Sequence, residues 1–440
     1  MSSGQASGNF LVTTLRANPY GWRVVFVMFM AMSMVSVSRA SIGLVMPALE
    51  QDMGWSRGFI STVVACALIS IAIVSPLVGN LLDRFGARRI LLCGLLVTAG
   101  ALALTSRVDS VWQILVAYSV LGGIGFGIVS KNVASATVAR QFDANRGLAV
   151  GVANAGATAG HIAILPVMAM ILTAFGWRYG YLFLAGICVA LLPLVWFLLK
   201  PGPDHGPDHR PGPRRATAAW GSAAHVEEEV PGTLTGRLKL LFRNRTFLAL
   251  LGSYTICGFT ATGMIDTHFL PYAVACGIPL VTGAAAYGVL ATFNMGGMAL
   301  AGYLSDRINR PRLLAVIYIM RGLSYIILLL VPVYDVNLIW VFAVVFGIFD
   351  YSTIPVTTSL VASHIGLRTI GLSLGVLAMF HAAGGALGAF LGGVLYDMFA
   401  KYDFVWVAAI SVAMIAGILV LTIREDRDAP ASPLPQPLAA

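Results

Sequence analysis

Eight ionisable side chains stand in stretches that are otherwise apolar: Arg39, Lys131, His161, Asp266, His268, Arg321, Asp350 and His381. An arginine offers a planar fork of donors that fits a carboxylate, and a lysine offers a compact point charge. Arg39 and Lys131 together could therefore clamp an anionic group. Asp266 and Asp350 are acids that could bind and release a proton as the ligand moves. His161 could carry that proton instead, because imidazole ionises near neutrality. His381 is a candidate both for ligand contact and for proton transfer. The same charges could also pair with one another, Arg39 or Lys131 with Asp350 or Asp266, without touching a ligand. Arg321 is expected to pair structurally or to reach the polar interface. His268 reads as a gate or packing residue, and Tyr118, Asn132, Asn154 and Tyr287 are weaker candidates.

The surrounding elements must be membrane helices. Of 440 residues, 58% are hydrophobic and 11% charged, and the mean hydropathy is +0.84, whereas soluble domains carry about 25% charged residues. A span needs about 20 mostly apolar residues. Such segments lie near 22–48, 58–82, 90–107, 111–138, 147–173, 177–199, 246–275, 281–304, 313–333, 337–362, 369–396 and 404–423. Backbone groups in lipid must bond internally, so continuous apolar runs of this length are helices rather than barrel strands. Ionisable residues inside them are costly and mark function or pairing. The fold class is an all-α polytopic membrane protein.

Cations concentrate in alternate loops, at Arg84, Arg88, Arg89, Arg140, Arg146, Arg307, Arg310, Arg312 and Arg368, while acids such as Glu50, Asp52, Asp109, Asp335 and Asp397 occupy the others. By the positive-inside rule both termini are expected in the cytoplasm. The net charge of +9 then reflects loops beside anionic lipid, and no nucleic-acid partner is expected. The first 21 residues lack a short apolar core with a cleavage site, so no removable signal peptide is expected. Cys66, Cys93, Cys188, Cys257 and Cys276 have no metal spacing and read as packing residues. No cofactor or metal is expected, and no nucleophile elbow or nucleotide loop points to an enzyme.

The expected organisation is a tail at 1–21, a bundle at 22–199, a linker at 200–245, a second bundle at 246–424 and a tail at 425–440. The linker is rich in proline and charge, which cannot bury a core. Its His205 and His209 read as solvated rather than metal-binding. From Leu234 to Phe247 basic and apolar residues mix, as in an interfacial helix.

Two charged turns repeat across the halves. Gly79-Asn-Leu-Leu-Asp83-Arg84-Phe-Gly86-Ala-Arg88-Arg89 follows the second apolar segment, and a weaker copy, Gly302-Tyr-Leu-Ser-Asp306-Arg307, follows the eighth. This pattern resembles the major facilitator superfamily of transporters. The resemblance implies two six-helix pseudo-symmetric bundles around a central pathway. It implies rocker-switch alternating access, and a cytoplasmic gate at Gly79, Asp83, Arg84, Gly86, Arg88, Arg89, Arg146, Asp306 and Arg307. It also implies that the spans bearing Arg39, Lys131, Asp266 and Asp350 line the cavity.

The stretch Arg146-Gly-Leu-Ala-Val-Gly151-Val-Ala-Asn-Ala-Gly156 in the fifth span resembles the monocarboxylate-porter signature. That implies a small organic anion as substrate, a co-transported proton, a cell-membrane location and a functional monomer. The branch often carries an Asp and an Arg four residues apart on the eighth span. Here those positions hold Asn294, which could still hydrogen-bond a carboxylate, and Met298, which cannot neutralise one. The alternative is a proton-coupled exporter of hydrophobic or amphiphilic compounds. Against it, the fourth span has Tyr118-Ser-Val-Leu-Gly122 where such exporters carry arginine before Gln-Gly.

Overall fold

The computed structural model describes residues 18–142, 146–201, 234–305, 307–365 and 370–425. Twelve helices among them are long and apolar enough to cross a membrane. In order they are Pro19–Met53, Arg57–Ser75, Phe85–Thr105, Val111–Val138, Ala149–Phe175 and Trp177–Leu198, then Arg245–Ala275, Leu280–Ser305, Arg310–Leu330, Leu338–His364, Leu372–Phe399 and Asp403–Leu421. They are called here the first to twelfth spans. An even number of crossings returns the chain to the face where it starts, called here the terminal face; the opposite one is the distal face. His205 and His209 lie outside the described residues.

Local chemistry explains several boundaries. The first span begins three residues earlier than its apolar run because the Asn18 side chain accepts the Gly21 N–H at 2.8 Å and Pro19 opens the helix. Gly54, with φ 66°, ends it. The mixed basic and apolar helix runs Leu234–Arg243 rather than to Phe247. Asn244 breaks it and caps the seventh span by accepting the Phe247 N–H at 3.0 Å. The second and third spans form one helix from Arg57 to Thr105 apart from Gly86, at φ 77°, ψ 161°. The expected turn is thus a kink at a residue whose backbone only glycine adopts readily.

Each half repeats one packing device. A Cβ on Gly156 or Gly160 would run into the carbonyls of Phe29 and Ser33 on the first span. A Cβ on Gly384 or Gly388 would meet those of Thr255 and Phe259 on the seventh. Close backbone approach through small residues is how membrane helices gain contact when no hydrophobic drive exists between them.

The cores are shared unequally between the halves. One apolar cluster runs through the first six spans and continues into the distal part of the second half, through Phe269, Tyr325, Phe342, Phe346 and Trp406. A separate cluster, including Leu250, Leu314, Tyr318, Leu360 and Val420, fills the terminal-face end of the second half. The halves therefore pack against each other mainly at the distal face.

Three spans are interrupted. The fourth contains a π-helical stretch, Leu115–Gly122, and a break at Val129 and Ser130 before Lys131–Ala139. The seventh contains a π-helical stretch, Phe259–Ile265. The tenth stops at Asp350 and restarts at Thr353. Such interruptions free backbone groups and redirect side chains, and are tolerated in membranes where they line a cavity or are buried in protein.

Candidate functional site

The interruptions position the charges. Lys131 is the first residue after the break in the fourth span. Asp266 follows the π-helical stretch of the seventh span, and Asp350 is the last residue before the break in the tenth. Spans related by the repeat carry opposite charges: Arg39 on the first against Asp266 on the seventh, and Lys131 on the fourth against Asp350 on the tenth.

Arg39 and Asp266 share a narrow cleft of about 20 Å³ with Tyr118, Thr262 and Thr267, floored by Leu68, Ile71 and Phe126. The Tyr118 hydroxyl donates to the Arg39 carbonyl at 2.9 Å, fixing the first span against the fourth. Among the described residues, no carboxylate lies within ion-pair distance of Arg39 or Lys131. One oxygen of Asp266 accepts the Tyr287 hydroxyl at 2.6 Å. His161, from the other half, meets the Tyr287 ring edge-on at 5.0 Å between centroids. Lys131 Nζ sits 4.1 Å from the centroid of the Tyr351 ring, a cation–π contact across the halves.

Asp350 has its own cation. Arg321, wholly buried on the ninth span, places Nη1 3.7 Å from Asp350 Oδ1. The same guanidinium donates to the Cys257 carbonyl at 3.3 Å and to the Thr260 hydroxyl. Asn294 Nδ2 donates to Asp350 Oδ2 at 3.0 Å, and Asn294 Oδ1 accepts the Tyr351 N–H at 2.7 Å, closing the break in the tenth span. Asn294 thus orients Asp350 and faces it rather than the open cleft. Pairing of Asp350 with Arg39 or Lys131 does not occur; its partner is inside its own half. His381 is tilted against Tyr254, with 4.9 Å between ring centroids.

The gate residues are spread out. Gly86 forms the kink described above, Arg88 lies 4.0 Å over the Trp196 ring, Arg89 is exposed, and Arg307 lies 4.1 Å over Tyr303. Gly79, Asp83, Arg84 and Arg146 are on described helix, but their side chains, like Asp306 as a whole, lie outside the described residues.

The distal face carries a clasp that sequence reasoning missed. Arg57, at the start of the second span, pairs with Glu50 at 2.9 Å and donates to the Tyr402 hydroxyl of the other half at 3.0 Å. It also lies 3.9 Å over the Tyr396 ring. One residue on, the Gly58 N–H donates to Asp397 at 2.8 Å. His268 is buried and within hydrogen-bond distance, 3.0 Å, of the Ala389 carbonyl, tying the seventh span to the eleventh. Tyr351 is the other missed residue; its adjacency to Asp350 was the available signal.

The family model described as Major Facilitator Superfamily matches residues 24–389. The chain belongs to this superfamily. Its members are membrane transporters rather than enzymes. The chain is 27% identical over 401 residues to an uncharacterized MFS-type transporter, YcxA, of Bacillus subtilis (strain 168), covering 90% of this chain and 92% of that one. It is 27% identical to Homo sapiens monocarboxylate transporter 11, over 86% of this chain and 77% of the relative. Among solved structures it superposes on a mutant of the nucleoside transporter NupG with a TM-score of 0.73 at 11% identity, covering 92% of this chain and 100% of that one. It matches a bacterial homolog of the human lysosomal transporter Spinster, inward-facing and unoccupied, with a TM-score of 0.71 at 15% identity, covering 92% and 97%. At these identities the structural likeness speaks for the superfamily fold alone.

Proposed function

We propose that the chain is a secondary transporter of small organic carboxylates, coupled to protons and working by alternating access. The observation that carries this reading is the private pairing of Asp350 with Arg321. With Asp350 neutralised inside the second half, Asp266 is the acid that lines the cleft beside Arg39, and Lys131, held against Tyr351, adds a second cation, which leaves a surplus positive charge. A carboxylate balances it: Arg39 offers the bidentate fork and Lys131 the point charge. The likeness to monocarboxylate transporter 11 supports the same substrate class.

Asp266 is the better-placed proton carrier. Tyr287 holds one of its oxygens, and the residue lines the cleft, where the other oxygen can take a proton. Asp350 serves instead to hold Arg321 and the broken tenth span. The distal clasp and the continuous distal core describe a state closed on that face. With the termini in the cytoplasm of a cell membrane, this is the inward-facing state. Opening outward requires Arg57 to leave Tyr402 and Asp397 to release Gly58.

The test is uptake of labelled mono- and dicarboxylates into proteoliposomes, with and without an inward proton gradient. Gradient-stimulated uptake of one acid supports the reading. Silence from folded protein across the panel removes it. The apolar floor of Leu68, Ile71 and Phe126 favours, as a second reading, an exporter of amphiphilic compounds, which would show as drug sensitivity on deletion of the gene.

A further inference from the structure

A second site lies on the outer surface of the first half, away from the transport cleft. Where the third span ends and the fourth begins, at the distal face, Leu104, Val108, Trp112, Val116 and Ala117 line a groove of about 430 Å³. Its walls are apolar and open outward: Leu104 is 53%, Trp112 76% and Val116 54% exposed. The π-helical stretch that starts at Leu115 winds this wall more loosely than an α-helix would.

The mouth of the groove is cationic. Arg107 lines it and is exposed. The neighbouring acid, Asp109, is already committed to Arg178 at 2.8 Å, and no carboxylate among the described residues lies within ion-pair distance of Arg107. Gln113, also at the rim, uses its Oε1 to accept the N–H groups of Asp109 and Ser110, at 2.7 and 3.2 Å. That leaves its amide N–H groups as spare donors.

We infer that this groove binds an anionic phospholipid of the leaflet at the distal face, with an acyl chain along Leu104 and Val116 and the phosphate on Arg107. Three features match one lipid at one depth. The apolar slot suits a hydrocarbon chain, Trp112 is the residue type that sits at the headgroup level, and an unneutralised guanidinium beside spare amide donors suits a phosphate. The groove is formed from the third and fourth spans, and the fourth also carries Lys131 beyond its π-helical stretch. A lipid held here therefore braces the outer end of a cavity-lining helix.

The experiment uses full-length protein in detergent, titrated with phosphatidylglycerol and, separately, phosphatidylcholine, and read by thermal stability and by native mass spectrometry of retained lipid. Brominated phosphatidylglycerol supplies a local readout, since it quenches a tryptophan it touches. Wild type should retain phosphatidylglycerol in preference to phosphatidylcholine. Arg107→Gln should weaken that retention several-fold, and Trp112→Phe should remove part of the quenching. Equal retention of both lipids by wild type, or unchanged phosphatidylglycerol retention in Arg107→Gln together with unchanged quenching in Trp112→Phe, would overturn the site. Arg107→Lys, which keeps the charge, separates loss of binding from loss of folding: it should retain the preference.

Discussion

Lys131 and Tyr351 meet across the two halves at matching interruptions of the fourth and tenth spans, with the ammonium 4.1 Å from the ring centroid. The contact holds a cavity cation in place without neutralising it, because an aromatic face is not an anion. A desolvated cation–π contact contributes about 0.5–2 kcal/mol. Tyr351→Leu should raise the KM for the transported acid by roughly 2- to 30-fold, while Tyr351→Phe stays near wild type. Initial uptake rates across substrate concentrations check this.

The Arg321–Asp350 pair is a stability element. Removing one partner of a buried ion pair leaves an uncompensated charge and costs about 3–5 kcal/mol. Arg321→Met and Asp350→Leu should each lower the Tm of the purified protein sharply. The double substitution should recover much of the loss. Equal and additive losses would show that the two residues are not coupled.

Asp266 separates coupling from binding. Asp266→Asn keeps the hydrogen bond to Tyr287 within reach but cannot ionise. It should abolish accumulation driven by a proton gradient while retaining counterflow exchange of the acid. Both are read in the same vesicle preparation.

Breaking the distal clasp should favour the outward-open state. Arg57→Ala removes the bonds to Glu50 and Tyr402 together. In a cysteine-free background, Ser61→Cys, buried against Gly393, should label faster with a membrane-impermeant thiol reagent once Arg57 is gone. Each 1.4 kcal/mol removed from the closed state is worth about tenfold in that equilibrium.

Much of this was legible in the sequence. Span number and the Gly86 kink follow from apolar length and one residue's backbone freedom. Which charges line the cleft did not follow from composition. Asp350 faces Arg321 because the tenth span breaks just after it and Asn294 caps the break, a tertiary arrangement with no local periodic signal. Arg57 carries no local signal of its role because its partners Tyr396 and Tyr402 lie more than three hundred positions away. Tyr351 was hidden for a related reason: only the break turns its ring toward Lys131.

In the proposed mechanism Arg39, facing the cleft without a carboxylate partner, binds the substrate's carboxylate. The direct measurement compares uptake of the transported acid by wild type, Arg39→Lys and Arg39→Gln in proteoliposomes, with melting curves to show that each variant is folded. Uptake should fall severely in Arg39→Gln and survive in part in Arg39→Lys, since charge remains but the bidentate fork is lost. Full uptake by folded Arg39→Gln would contradict that mechanism.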